Sequence, residues 1–195
     1  MEIVCNNLMK AINDMKAFLA IATANLTDDS GKTYSLSVTQ MPANDDGFGC
    51  EIEYQKKHST CIPIFNELRF RYDRSLKSSP YYSDEFTRFV HKERSYARGF
   101  SSITLCLLHE VGHYQTVKQF FRENPRYNRG AEIFKICCKA RLYENPEYEA
   151  NRLYQQLPDE LSATTWALDW LADAEHRKLA KAFEKKFFAN YEKRA

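Results

Sequence analysis

The chain has 195 residues, 44% of them hydrophobic and 28% charged, with a formal net charge of +2. This is the size and balance of one globular domain able to bury a real core, so residues 1–195 read as a single domain. The near-neutral charge carries no global demand for nucleic acid or an anionic membrane surface, and no apolar run is long enough to span a bilayer.

The opening "MEIVCNNLMKAINDMKAFLAIATA" starts acidic and is interrupted by charges, unlike a secretory signal. Val4, Leu8, Ile12, Met15, Leu19 and Ala22 recur in it at helical spacing, which predicts a helix over residues 1–24. "NLTDDSGK" is turn chemistry. Thr33 to Gln40 and Phe48 to Gln55 alternate as strands do and are expected to pair as a hairpin around "MPANDDG". Ser59 to Phe65 reads as a third strand, which Pro63 should push to a sheet edge.

From Ser83 the pattern turns helical. Ser83 is a good N-cap with acids in the turn after it. A long helix is expected to follow, ending near Pro125, and another after Gly130. Pro146, behind the capping residue Asn145, and Pro158 each suit the first position of a helix. The last helix is expected to run from Pro158 almost to the C-terminus, with Phe183, Phe187 and Phe188 on its packed face and Trp166 and Trp170 in the core. A sheet early and helices late predict an α+β fold.

Cys5, Cys50, Cys61, Cys106, Cys137 and Cys138 contain no CxxC pair. A chain this long needs no disulfide staples, so they read as reduced thiols of a cytoplasmic protein, mostly buried.

Inside the long helix stands "LCLLHEVGHYQT", Leu105 to Thr116. Helical spacing puts His109 and His113 on one face, Cβ atoms roughly 5–6 Å apart. Two imidazoles so placed can converge on one ion at about 2.0–2.1 Å from each. Glu110, one residue round the helix, reaches a water on that ion rather than the ion itself, which is the HExxH arrangement of two ligands and a general base. The flanking Ile103, Cys106, Leu107, Leu108 and Val111 predict burial, and a buried His-Glu-His group is costly unless something satisfies it. Gly112, about 1 kcal/mol worse than alanine in a helix, makes sense if another backbone or a substrate comes close there.

Zinc hydrolases use three protein ligands and leave a position for water. His58, His91 and His176 do not stand at the short downstream spacing of a third histidine, which leaves a carboxylate from a later helix. Glu160 shares a face with Ala163, Thr164, Ala167 and Leu171, small enough for close approach to the histidine helix. Glu147, followed by Ala150, Asn151 and Tyr154, competes with it. Both have a simpler excuse in the first turn of a helix, where any acid is favoured. Glu160 is the favoured ligand; Asp159 and Glu149 stand behind it.

His109-Glu110-Val111-Gly112-His113, followed by Glu160-Leu161-Ser162-Ala163-Thr164-Thr165-Trp166-Ala167, resembles the zincin metallopeptidases with a glutamate third ligand. More narrowly it is similar to the small ImmA/IrrE-like group of phages and mobile elements. The resemblance covers the second half of the chain; residues 66 to 100, rich in Arg, Tyr and Ser, read as an insertion. It implies Zn2+ on His109, His113 and Glu160, with Glu110 as catalytic acid/base. It also implies a zincin-like fold: a small N-terminal mixed or antiparallel sheet packed on a mainly helical C-terminal half that carries the HExxH helix.

The expected function is hydrolysis of peptide bonds in an intracellular protein substrate. Glu110 would take a proton from the attacking water and pass it to the leaving amine. Tyr114, Tyr148 and Tyr154 are candidate oxyanion donors, and a peptide could add as a strand near Thr60 to Ile64. The alternative is a non-catalytic zincin-like binding protein acting through protein or nucleic-acid contacts. The Arg- and Tyr-rich "ELRFRYDRSLKSSPYYSDEF" is too diluted with acids to favour nucleic acid, and no membrane partner is expected. Nothing in the sequence sets the oligomeric state.

Overall fold

The computed structural model describes residues 95–192, helical positions within 10–22, and, as backbone only, the strand segments 35–40, 48–57 and 60–72. The part of the chain whose side chains are described is 84% helical and contains no strand. This corrects the expected α+β, zincin-like architecture of a sheet packed on a helical half. Every residue of the described core cluster lies on a helix, or on the 3-10 turn Ser95–Gly99 and the Phe100 bend that lead into one. Alternating hydrophobicity marks extended backbone locally; it does not specify what that backbone packs on.

The strand backbone departs from expectation in its pairing too. β1 (Ser35–Gln40) and β2 (Phe48–Lys57) form no hairpin with each other. β3 (Thr60–Tyr72) lies between them, parallel to β1 and antiparallel to β2, and continues into the stretch read as an insertion. Pro63 is therefore on the middle strand. β1 pairs only with Glu67 to Tyr72, so Pro63 falls where β3 has β2 on one side and no β1 on the other, beside a register shift at Ile52/Tyr54. That is where a missing N–H costs least.

Five helices follow among the described residues. α1 (Ser102–Glu123) begins at Ser101, whose side chain accepts from Thr104 N–H, and ends at Asn124, which donates back to Phe120. α2 (Arg129–Ala140) and α3 (Pro146–Tyr154) start behind Asn128 and Asn145, each capping an N–H of the first turn. α4 (Pro158–Ala172) starts on its proline without a side-chain cap. α5 is Ala174–Glu192. The single last helix expected after Pro158 is thus two. Asp173 is extended, and its carboxylate accepts from the N–H groups of Glu175 and His176, so it caps α5 and ends the run of α4. The helix expected behind Ser83 lies outside the described residues up to 94.

α1 packs chiefly against α4. Leu107, Leu108 and Val111 of α1 and Ala163 and Leu171 of α4 are fully buried. Truncating such a leucine to alanine costs about 2–5 kcal/mol. Phe183 on α5 stacks on Phe18 from the N-terminal helical segment, ring centroids 4.5 Å apart, and Trp170 meets Phe18 edge-on. Asn190 donates to Asp14 across the same junction. Phe187 and Phe188 are buried, so the apolar side of the basic final helix is packed inward.

α5 also grips the start of α1. The buried Glu184 carboxylate accepts from Ser101 N–H at 2.6 Å, Ser101 Oγ at 2.7 Å and Thr104 Oγ1 at 2.8 Å. Lys181 pairs with its other oxygen at 2.9 Å. An anion where α1 leaves N–H groups unpaired is favoured by the helix dipole as well as by the hydrogen bonds. Cys137 and Cys138 correct the expectation of buried thiols: they are exposed, because α2 buries only Arg129 and Ala140. No helix among the described residues is long and apolar enough to cross a membrane.

Candidate metal centre

Four residues apart on α1, His109 and His113 present their rings nearly perpendicular, with centroids 4.6 Å apart. Both rings meet one oxygen of a side chain 47 residues or more down the chain. Glu160 Oε2 lies 2.9 Å from His109 Nε2 and 3.3 Å from His113 Nε2. The three donor residues are all buried, and their donor atoms lie within 4.8 Å of one another. An ion about 2.0–2.1 Å from each donor of a tetrahedral set places those donors roughly 3.4 Å apart, close to the two histidine–Glu160 spacings here. Two imidazole nitrogens and a carboxylate oxygen aimed at one point need a positive centre between them, a proton or a metal ion.

The close approach of α1 and α4 rests on small residues. A Cβ built on Gly112 would stand 2.3 Å from the Ala163 carbonyl oxygen and 2.9 Å from its carbon. Only glycine lets the backbones meet there, and that contact delivers Glu160 to the histidines. One turn further along α4, Thr164 Oγ1 lies 3.1 Å from His109 Nδ1. If the hydroxyl accepts from Nδ1–H, the lone pair is left on Nε2, on the side of Glu160.

Glu160 is held from behind as well. Arg129, buried at the first position of α2, pairs through Nη2 with Glu160 Oε1 and through Nη1 with Asp159 Oδ2. The same Nη2 donates to the Tyr154 hydroxyl, and the guanidinium lies 5.2 Å from the Tyr154 ring centroid. Tyr127 donates its hydroxyl proton to Asp159 Oδ1.

Burial alone would raise the Glu160 carboxyl, but its hydrogen bonds to His109 and His113 outweigh that and hold it well below the usual carboxylate range. His113 shifts the other way from an ordinary imidazole: burial lowers it, and the Glu160 carboxylate does not restore it. The combination is an ionised carboxylate beside a neutral imidazole, the protonation states that bind a metal. His113 Nδ1 is buried with no hydrogen-bond partner among the described residues. Burial, with the Glu160 charge adding to it, pushes Tyr154 up, so its hydroxyl keeps its proton at neutral pH.

Of the carboxylates weighed from sequence, the cluster contains Glu160. Glu147 is exposed on α3, Glu149 pairs with Arg152 at 2.8 Å, and Asp159 is taken by Arg129 and Tyr127. Glu110 is half-buried, one position round α1 from His109, close enough for its charge to act on Tyr154. Among the candidate oxyanion tyrosines, Tyr154 is at the site and Tyr148 is exposed; the Tyr114 side chain lies outside the described residues. His176 stacks on Trp170, away from the cluster, and His58 and His91 lie outside the described residues.

The sequence reading missed Arg129 and Tyr127. One signal was available: adjacent acids at the start of α4 require a cation if both turn inward, and Arg129 follows a helix cap, where a base opposes the helix dipole. No family model matches the chain, and no curated protein or solved structure matches it.

Proposed function

We propose that the chain is a zinc-dependent peptidase of the zincin type, cleaving a protein or peptide substrate in the cytoplasm. The observation that carries this reading is the buried convergence of His109 Nε2, His113 Nε2 and Glu160 Oε2, with Glu110 beside the first histidine on the same helix. Nitrogen and carboxylate donors suit zinc, and three protein ligands match its catalytic rather than its closed structural sites. When bound, zinc supplies a Lewis acid that acidifies water and polarises a carbonyl.

The chain's own groups then have separate tasks. His109, His113 and Glu160 hold the metal. Thr164 orients His109. Glu110 accepts a proton from the attacking water and returns it to the leaving amine. Tyr154, protonated at neutral pH and held beside Glu160 by Arg129, is the candidate donor to the oxyanion.

The test joins metal content with hydrolysis. Zinc should be found at one per chain, a peptide library should be cleaved, and a chelator should stop cleavage. Glu110→Gln should retain the zinc and lose at least about a hundredfold in rate, the lower end of what a general base supplies. A zinc-loaded chain that cleaves nothing, with Glu110→Gln indistinguishable from it in any assay, would leave the non-catalytic binding protein in its place.

A further inference from the structure

Two adjacent carboxylates, Asp159 and Glu160, are each 2% exposed at the start of α4. Either could ligate an ion, and their charges repel. Beyond the histidines and Tyr154, which also hydrogen-bonds Glu160, two partners come from the connection between α1 and α2 and the first position of α2 itself: Tyr127 and Arg129. Tyr127 donates a hydrogen bond to Asp159 Oδ1 and Arg129 Nη1 forms an ion pair with Oδ2, so both oxygens of Asp159 are engaged. Arg129 Nη2 takes Glu160 Oε1, and Oε2 is the oxygen that meets the imidazoles.

We infer that Arg129 is the positioning residue of this metal site: its two nitrogens divide the acid pair, presenting one oxygen of Glu160 to the ion and withholding Asp159 from it. The inference rests on the metal reading of the site. A fork is needed because one point charge cannot bind two separate carboxylates in fixed directions, which is where arginine and lysine differ. Tyr154 beneath the guanidinium restrains its plane. Burying an arginine at the N-terminal end of a helix is expensive, and this one is oriented so that each terminal nitrogen faces a different acid.

The experiment uses Co2+ as a probe on the full chain and its Arg129→Lys and Arg129→Gln variants. It follows affinity by competition, coordination by the visible absorption band, and folding by circular dichroism. Folded variants should bind Co2+ roughly 10–100-fold more weakly, as loss of an outer partner of a ligand typically does. They should also show an altered band as a second carboxylate oxygen, from Glu160 or Asp159, enters the coordination. Unchanged affinity and band in a folded variant would overturn the inference. A structure of the metal-loaded wild-type chain tests it independently of whether the variants fold. One Glu160 oxygen on the ion, with Asp159 still on Arg129, supports it; a bidentate Glu160 or a ligating Asp159 overturns it. Failure of the wild-type chain to bind either Co2+ or Zn2+ would instead remove the metal reading itself.

Discussion

Thr164 Oγ1 stands on the far side of the His109 ring from Glu160, 3.1 Å from Nδ1. Replacing it by valine keeps the shape and removes the hydrogen bond. Thr164→Val should fold normally yet weaken zinc binding about 10–100-fold, measured by competition with a chelating dye. Tyr127 makes a different prediction. Its hydroxyl is raised from 10.0 to about 12, first by burial, with the Glu160 charge adding to it and Arg129 opposing. Above pH 10 the unfolded chain therefore releases this proton while the folded chain keeps it, so folding stability falls as pH rises from about 10 to about 12. Urea unfolding of wild type and Tyr127→Phe across that range should show the variant losing less stability; equal slopes would mean that the Tyr127 hydroxyl is not buried in solution as it is here.

Gly112 and Ala163 decide how near α1 and α4 come. The Cβ of Gly112→Ala would meet backbone, which cannot rotate away, so the helices must part. We expect a loss of about 1–3 kcal/mol, the usual cost of overpacking, and with it a zinc affinity reduced by more than the stability change explains, since Glu160 withdraws with α4. Thermal unfolding and metal titration on one preparation separate the two effects. At the other end of α1, Glu184→Ala would leave the Ser101 N–H and the Thr104 hydroxyl without their acceptor. A buried donor left unsatisfied costs about 1–3 kcal/mol. Hydrogen exchange should quicken in the first turn of α1, with the amides around His113 much less affected.

The helices bury their own apolar faces, so the described core does not depend on an ion to assemble. Zinc should therefore add to an existing stability. At a free concentration a hundredfold above its Kd, a ligand that binds only the folded state adds about 2.7 kcal/mol. For a chain of this length that is a rise of roughly 5–10 °C in Tm. Removing the metal should lower Tm by that amount without unfolding the chain at room temperature, a result that differential scanning calorimetry reads directly. The same cohesion explains which features were legible beforehand. Capping asparagines and helix-starting prolines act over three or four residues, and Asn145, Pro146 and Pro158 stand where such signals should. The break at Asp173 was equally local, an acid before "AEHR", yet the continuing apolar pattern on both sides masked it.

HExxH spacing follows from the pitch of a helix, so His109, Glu110 and His113 could be grouped from sequence alone, and Gly112 could be read as a place of close approach. Choosing Glu160 over Glu147 could be argued but not completed that way, because both are acids in the first turn of a helix begun by proline. The choice belongs to the packing: α4 abuts α1 through Gly112 and Ala163, and α3 leaves Glu147 in solvent. Arg129, the division of the acid pair and the order of the strands depend on residues far apart along the chain. Local propensity carries no information about such pairs, and steric fit and buried charge settle them once the chain has folded.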